Sequence, residues 1–219
     1  MVELIAHRAG NGPAATEAAR GLADYLELDV HRHRGRLVVR HAKRIWGTSR
    51  LWERWYLLPR GTTVPVLEEA LGWIGPEPGL WVDLKGGLAR CLPAEVCRLV
   101  GAERSLTLST KAWWLFGGRS GPLPARLFRS AGNRFELLLL RRLPSRVRLD
   151  GVVVHQRLLT ARLVRTLARH HGLVVAWAVT DEDRARRLVA WGVGGLILDD
   201  PALLQALAQP PVRRRPGAG

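Results

Sequence analysis

The residues from Tyr25 to His41, YLELDVHRHRGRLVVRH, hold the densest chemistry in the chain. Glu27 and Asp29 are two apart, so on a strand both carboxylates project from one face. The turn around Arg34-Gly35-Arg36 sends the chain back, and the returning arm ends in His41. Two carboxylates on one face repel each other. A divalent cation holds such a pair ionised, and so does an arginine partner, of which this chain has many. Four other stretches carry polar groups beside apolar runs: His7-Arg8, Asp83 with Lys85 in LWVDLK, Trp177 in AWAVTDED, and Asp199-Asp200-Pro201. Asp83 and Lys85 share a strand face and either serve a site or pair with each other. Asp199 and Asp200 read as a helix cap.

Positioning these groups needs strands whose ends meet. Short apolar runs at Glu3–His7, Tyr25–His33, Leu80–Lys85, Leu106–Ser109, Ala125–Ser130, Gly151–His155, Leu173–Val179 and Gly195–Asp199 read as strands. Helical segments follow each, opened by Pro13 and Pro65 in the first two cases. Leaving the returning arm aside, strand and helix alternate eight times, which predicts an α/β fold, a (β/α)8 TIM barrel. A β-hairpin extension follows strand 2, and His41 to Thr63, rich in Arg and Trp, forms a short cap segment. Catalytic groups of such barrels sit at the C-terminal ends of the strands, where His7, Glu27, Asp29, Asp83, Lys85, Trp177 and Asp199 all fall. Residues 1–209 are expected to form a single domain, with 210–219 (PPVRRRPGAG) a disordered basic tail.

A chain of 219 residues with formal net charge +15 favours anionic partners such as phosphate esters, lipid headgroups or nucleic acid, although a solvated arginine-rich surface explains the charge as well. Of 34 Lys and Arg residues only Lys43, Lys85 and Lys111 are lysines. Cys91 and Cys97 lie six apart in a helical stretch and point to different faces, so no disulfide is expected. No leader precedes the first strand and no apolar run is long enough to span a bilayer, so the chain reads as soluble and cytoplasmic.

The motifs IAHRAG, LELDV, VVRHA, VPVLEEAL, VDLK, AWAVTDED and GGLILDDP occur in the order seen in the glycerophosphodiester phosphodiesterase family, which the chain resembles over nearly its whole length. The resemblance implies that Glu27, Asp29 and Asp83 hold a divalent cation, Asp83 standing where the family usually has Glu. It implies that His7 and His41 are the acid/base pair, that Arg8 and Lys85 bind the phosphate, and that Trp177 forms part of the pocket wall. Three departures stand out. The family's P-E-N-T is Pro13-Ala14-Ala15-Thr16, which removes a carboxylate and an amide. The Asp after the second histidine is Ala42. The segment between His41 and the VPVLEEAL helix is short.

Three carboxylates make an oxygen-rich set that suits Mg2+ or Ca2+ better than zinc. Two histidines can divide the acid and base tasks of phosphodiester hydrolysis. The expected substrate is a small glycerophosphodiester, with a lysophospholipid as a variant. The alternative is a non-catalytic phosphoester- or lipid-headgroup-binding barrel, motivated by Ala14, Ala15 and Ala42. Trp46, Trp52 and Trp55 alternate with arginines and read either as a membrane-surface contact or as a short helix packed on the rim. His31 and His33 offer an H-x-H pair that can bind zinc, but they lie nearest the hairpin tip and read as solvated. Nothing in the motifs reads bases, so nucleic acid is the least expected partner.

Overall fold

The computed structural model describes residues 2–45, 48, 50–53, 56–86, 89–117, 122–142 and 149–209. The basic tail 210–219 lies outside the described residues, as do Trp46 and Trp55.

Eight parallel strands close on themselves. In chain order they are β1 (Glu3–Ala6), β2 (Tyr25–His33), β7 (Gly79–Lys85), β8 (Leu106–Thr110), β9 (Arg126–Ala131), β10 (Gly151–His155), β11 (Leu173–Val179) and β12 (Gly195–Leu198). Each pairs with its sequence neighbour, β12 pairs with β1, and β1 pairs with β2, so no edge is left in the parallel set. Seven α-helices and a 3-10 turn at Trp113–Phe116 complete the eight units: α1 (Pro13–Ala19), α2 (Leu67–Ile74), α3 (Leu92–Val100), α4 (Arg134–Arg142), α5 (Ala161–His171), α6 (Glu182–Ala190) and α7 (Pro201–Ala208).

Strand alternation divides the core in two. On β2, Leu26, Leu28 and Val30 are fully buried in the outer layer, between sheet and helices. The opposite faces fill the barrel itself with Ile5, Trp81, Phe128, Val153, Val175 and Ile197, and Tyr25, Leu173 and Trp177 pack against them. Trp81 and Phe128 are in ring contact at 4.8 Å. This plug makes the barrel a packed core rather than a pore. One step further along the same inward faces come His7, Glu27, Asp83 and Asp199 at the mouth.

The hairpin forms as expected. Strand β3 (Arg36–Val39) pairs antiparallel with the end of β2, with His33 opposite Arg36. The two turn residues, Arg34 (φ 49) and Gly35 (φ 80), both take left-handed backbone, the combination that matches the twist of a two-residue hairpin. The cap is not a short helix packed on the rim. It is a three-stranded antiparallel sheet of β4 (Lys43–Arg44), β5 (Leu51–Glu53) and β6 (Tyr56–Leu57). On β5 Leu51 is buried and Trp52 exposed, as neighbours on a strand point to opposite faces. Among the described residues no helix is long and apolar enough to cross a membrane. Cys91 and Cys97 are unbridged.

Candidate active site

Glu27, Asp29 and Asp83 converge. One carboxylate oxygen from each lies within 4.8 Å of the others at the C-terminal mouth. Register causes this: β2 and β7 pair with Asp29 level with Asp83, and Glu27 lies one inward step below. Glu27 and Asp29 are buried.

The surroundings hold these acids in different charge states. Burial and the neighbouring Asp29 push Glu27 up to about 8, in spite of His7 and Lys85. Burial also works against Asp29, but the ammonium of Lys85 at 2.9 Å from Oδ1, and the amide of Asn11, outweigh it and pull its carboxyl below the usual range. Asn11 grips Asp29 twice: its Nδ2 donates to Oδ2 at 3.0 Å, and its Oδ1 accepts from the Asp29 backbone N–H at 3.0 Å. Asp83 bonds Lys85 and accepts from Ser109 Oγ at 3.2 Å, and Ser109 in turn accepts from Trp81 Nε1 at 3.1 Å. The plug of the barrel thereby braces the third acid.

The two histidines flank the acids. His7 Nε2 lies 3.9 Å from Glu27 Oε2, and its Nδ1 bonds Asp199. Burial lowers its pKa, but Glu27 and Asp199 outweigh that and raise it overall. His41 stands on the Asp29 side with Nδ1 at 2.6 Å from Glu53 Oε1. Burial and Arg8 outweigh the carboxylates there and lower its pKa. Arg8 lies between, with Nε 3.6 Å from Asp29 and Nη1 3.7 Å from Glu53. Its backbone takes a left-handed φ of 53 and donates its N–H to Glu27 Oε2 at 2.6 Å. Backbone strain of this kind persists where the surroundings over-determine it, and it clusters at working sites.

Trp177 lies on the inward face of β11 at the mouth, with His155 edge-on at 4.5 Å and Lys111 Nζ 5.7 Å from its ring centre. Ala178 beside it has φ 59, and the β11–β12 register shifts between Trp177 and Val179, a bulge that re-aims the indole.

Lys85 stands on Asp29 and Asp83, a pairing that its place on the shared strand face allows beside a site role. Two sequence readings need correction. Asp200 is the helix cap, accepting from Ala202 N at 2.9 Å, but Asp199 belongs to the site through His7. His31 is not a solvated histidine: its Nε2 is buried, and burial with Arg40 pushes its pKa down to about 3. Asn11, Glu53 and Ser109 join the site through contacts that no sequence motif marks. Asn11 and Glu53 supply an amide and a carboxylate, the two group types that Ala14 and Ala15 fail to provide.

No family model and no curated protein matches the chain. Solved structures do. A phosphodiesterase from Oleispira antarctica in complex with the product sn-glycerol-3-phosphate is 18% identical, covers 94% of this chain and 96% of its own, and superposes with a TM-score of 0.69. The glycerophosphodiester phosphodiesterase from Thermotoga maritima is 18% identical, with 94% and 98% coverage and a TM-score of 0.66. That from Parabacteroides distasonis is 19% identical, with 94% and 96% coverage and a TM-score of 0.64. The chain shares their closed-barrel fold from end to end.

Proposed function

We propose that this chain is a metal-dependent phosphoric diester hydrolase that cleaves glycerophosphodiesters to glycerol 3-phosphate and an alcohol. The observation that carries this reading is the convergence of Glu27, Asp29 and Asp83 within 4.8 Å at the barrel mouth. The donor set fits a hard cation. It offers oxygen only, two of its members are buried, and one of these, Glu27, is held protonated near neutral pH by burial and by the neighbouring Asp29. Mg2+ or Ca2+ held by these three residues would neutralise phosphoryl oxygen and lower the pKa of the attacking hydroxyl or water.

The chain's own residues do the rest. His7 and His41 each have Nδ1 engaged by a carboxylate, so each presents Nε2 to the mouth. One takes the proton of the attacking hydroxyl or water; the other gives a proton to the leaving alkoxide. Arg8 offers a planar, permanent charge for phosphate, and Lys85 supplies a second cation as it exchanges Asp29 and Asp83 for the substrate's oxygens. Trp177 walls the pocket with an apolar face. The neighbour crystallised with sn-glycerol-3-phosphate supports a product of that kind.

Residues 1–209 act as one unit in this reading. The chain works in the cytoplasm, where its two unbridged thiols stay reduced. A lysophospholipid is admitted as substrate by the small cap. Lys43, Trp52 and Leu57 lie side by side across the cap sheet, and Trp52 and Leu57 are exposed, which supports a peripheral contact with a membrane surface. The degenerate-barrel alternative is weakened, since Asn11 and Glu53 bring an amide and one carboxylate to the mouth. The test is release of glycerol 3-phosphate from a panel of glycerophosphodiesters with Mg2+ or Ca2+. Turnover that a chelator abolishes is the expected result; no turnover with any divalent cation overturns the reading.

A further inference from the structure

The cap strand β5 places three consecutive side chains in three settings: Leu51 is buried, Trp52 is exposed, and Glu53 turns back toward the mouth. The Glu53 carboxylate is largely withdrawn from water, with 15% of its side chain exposed. Its Oε1 lies 2.6 Å from His41 Nδ1 and 3.7 Å from Arg8 Nη1. A carboxylate accepts only, so the hydrogen in the short contact belongs to the imidazole nitrogen. The register of the cap sets the carboxylate there: Leu51 pairs with Arg44 on one side, and Glu53 pairs with Tyr56 on the other.

His7 and His41 thus receive the same treatment from different parts of the molecule. Asp199 at the end of β12 holds His7, as a barrel strand can. His41 ends the hairpin's returning arm, and the residue after it is Ala42, which has no polar group to offer.

We propose that Glu53 is a positioning residue of the site: it accepts the Nδ1–H of His41, fixes the tautomer that leaves the Nε2 lone pair at the mouth, and steadies Arg8 with the same carboxylate. The catalytic consequence rests on the diester hydrolase reading above; the tautomer does not. A free neutral imidazole in water favours the other tautomer, with hydrogen on Nε2. The Nδ1–H form at His41 is therefore imposed, and removal of its acceptor releases it. The cap accordingly completes the site rather than merely covering it.

The test uses the full chain labelled with 15N-histidine. Long-range 1H–15N spectra at pH 8 report the tautomer of His41 in wild type, Glu53→Leu and Glu53→Gln; His41→Ala assigns the signal. Wild type is expected to show hydrogen on Nδ1. Glu53→Leu, close in shape and without an acceptor, is expected to revert to Nε2–H. Glu53→Gln keeps an acceptor oxygen and should keep the tautomer, which guards against a Leu variant that misfolds. On a diester substrate, Glu53→Leu should lower kcat by about 10- to 100-fold with KM within roughly twofold, and Glu53→Gln should recover most of the loss. Persistence of Nδ1–H in Glu53→Leu overturns the proposal. So does an unchanged kcat in Glu53→Leu where His41→Ala is inactive. Absence of turnover in wild type sinks the hydrolase reading instead, and the spectra then decide the positioning role alone.

Discussion

At the floor of the barrel, Glu3 and Arg126 meet through two hydrogen bonds of 2.7 and 3.0 Å, and Arg126 also donates to Tyr25 Oη and lies over the Phe128 ring. Asp24 and Asp150 there each accept a backbone N–H, from Leu4 and from Leu127, at 2.8 Å. Charge at this end is matched to a fixed partner. At the mouth, three acids crowd within 4.8 Å, and one of them, Glu27, is buried with its pKa pushed up to about 8. The same inward faces of the same strands carry both ends. The floor uses charge to close the barrel; the mouth gathers three carboxylates around one lysine, and burial beside Asp29 leaves Glu27 holding its proton. Conserving stability does not require the mouth to look as it does, so its arrangement points to chemistry.

That contrast can be broken by substitution. The largest effect is expected at the mouth: Asp29→Asn should lower kcat/KM on a glycerophosphodiester by roughly 10³-fold or more, since it removes the partner of Lys85 and Arg8 and, on the proposed reading, a cation ligand. A loss below tenfold in steady-state assays would place the chemistry elsewhere. Next comes pH. On the proposed reading a divalent cation displaces the Glu27 proton, so affinity for Mg2+ or Ca2+ measured by calorimetry should rise by up to about tenfold per pH unit below pH 8 and level off above it, a slope that Glu27→Gln should flatten. The sign for stability follows from the same shift. The metal-free fold holds a proton on Glu27 up to about pH 8, whereas the unfolded chain releases it near the ordinary 4.5. Glu27 therefore subtracts from stability as pH rises from 4.5, and the whole cost is present above 8. Glu27→Gln should raise the Tm of the metal-free protein at pH 9 and change it little at pH 4.

The floor should answer in the opposite way. Arg126→Met leaves Glu3 without its partner and should cost about 2 kcal/mol, a few degrees in Tm, with kcat within twofold of wild type. Loss of activity without loss of stability would erase the distinction between the ends. The smallest effect is expected from Trp177→Ala, a rise in KM of a few-fold with kcat nearly unchanged, because on the proposed reading the indole is only a wall, and its Nε1 donates to Ala131 O at 3.4 Å rather than to the acids.

Much of this was legible from periodicity. β10 (Gly151–His155) and β11 (Leu173–Val179) have the bounds read from the sequence, since Gly151 opens the first and Gly172 and Thr180 bracket the second. Glu27 and Asp29 on one inward face followed from a period of two. The cap did not, because strands of two or three residues carry too little repeat to tell from a loop, and arginine and tryptophan density drew attention instead. The contacts of Asn11, Glu53 and Asp199 are hidden for another reason, although Asp199 itself falls at a strand's C-terminal end. Their roles are tertiary contacts, with Asp29 across 18 residues, His41 across 12 and His7 across 192, and local pattern holds no record of such pairs. Asp199 read as a cap because its neighbour Asp200 is one.

The most direct test is a crystal of the full chain soaked in Mn2+, a dense stand-in for Mg2+ with a strong anomalous signal. The expected result is one peak at the mouth, bonded by Glu27, Asp29 and Asp83, with Lys85 moved off the acids it now holds. A map without that peak, in which Lys85 still binds Asp29 and Asp83, would contradict a cation site at the mouth of this barrel.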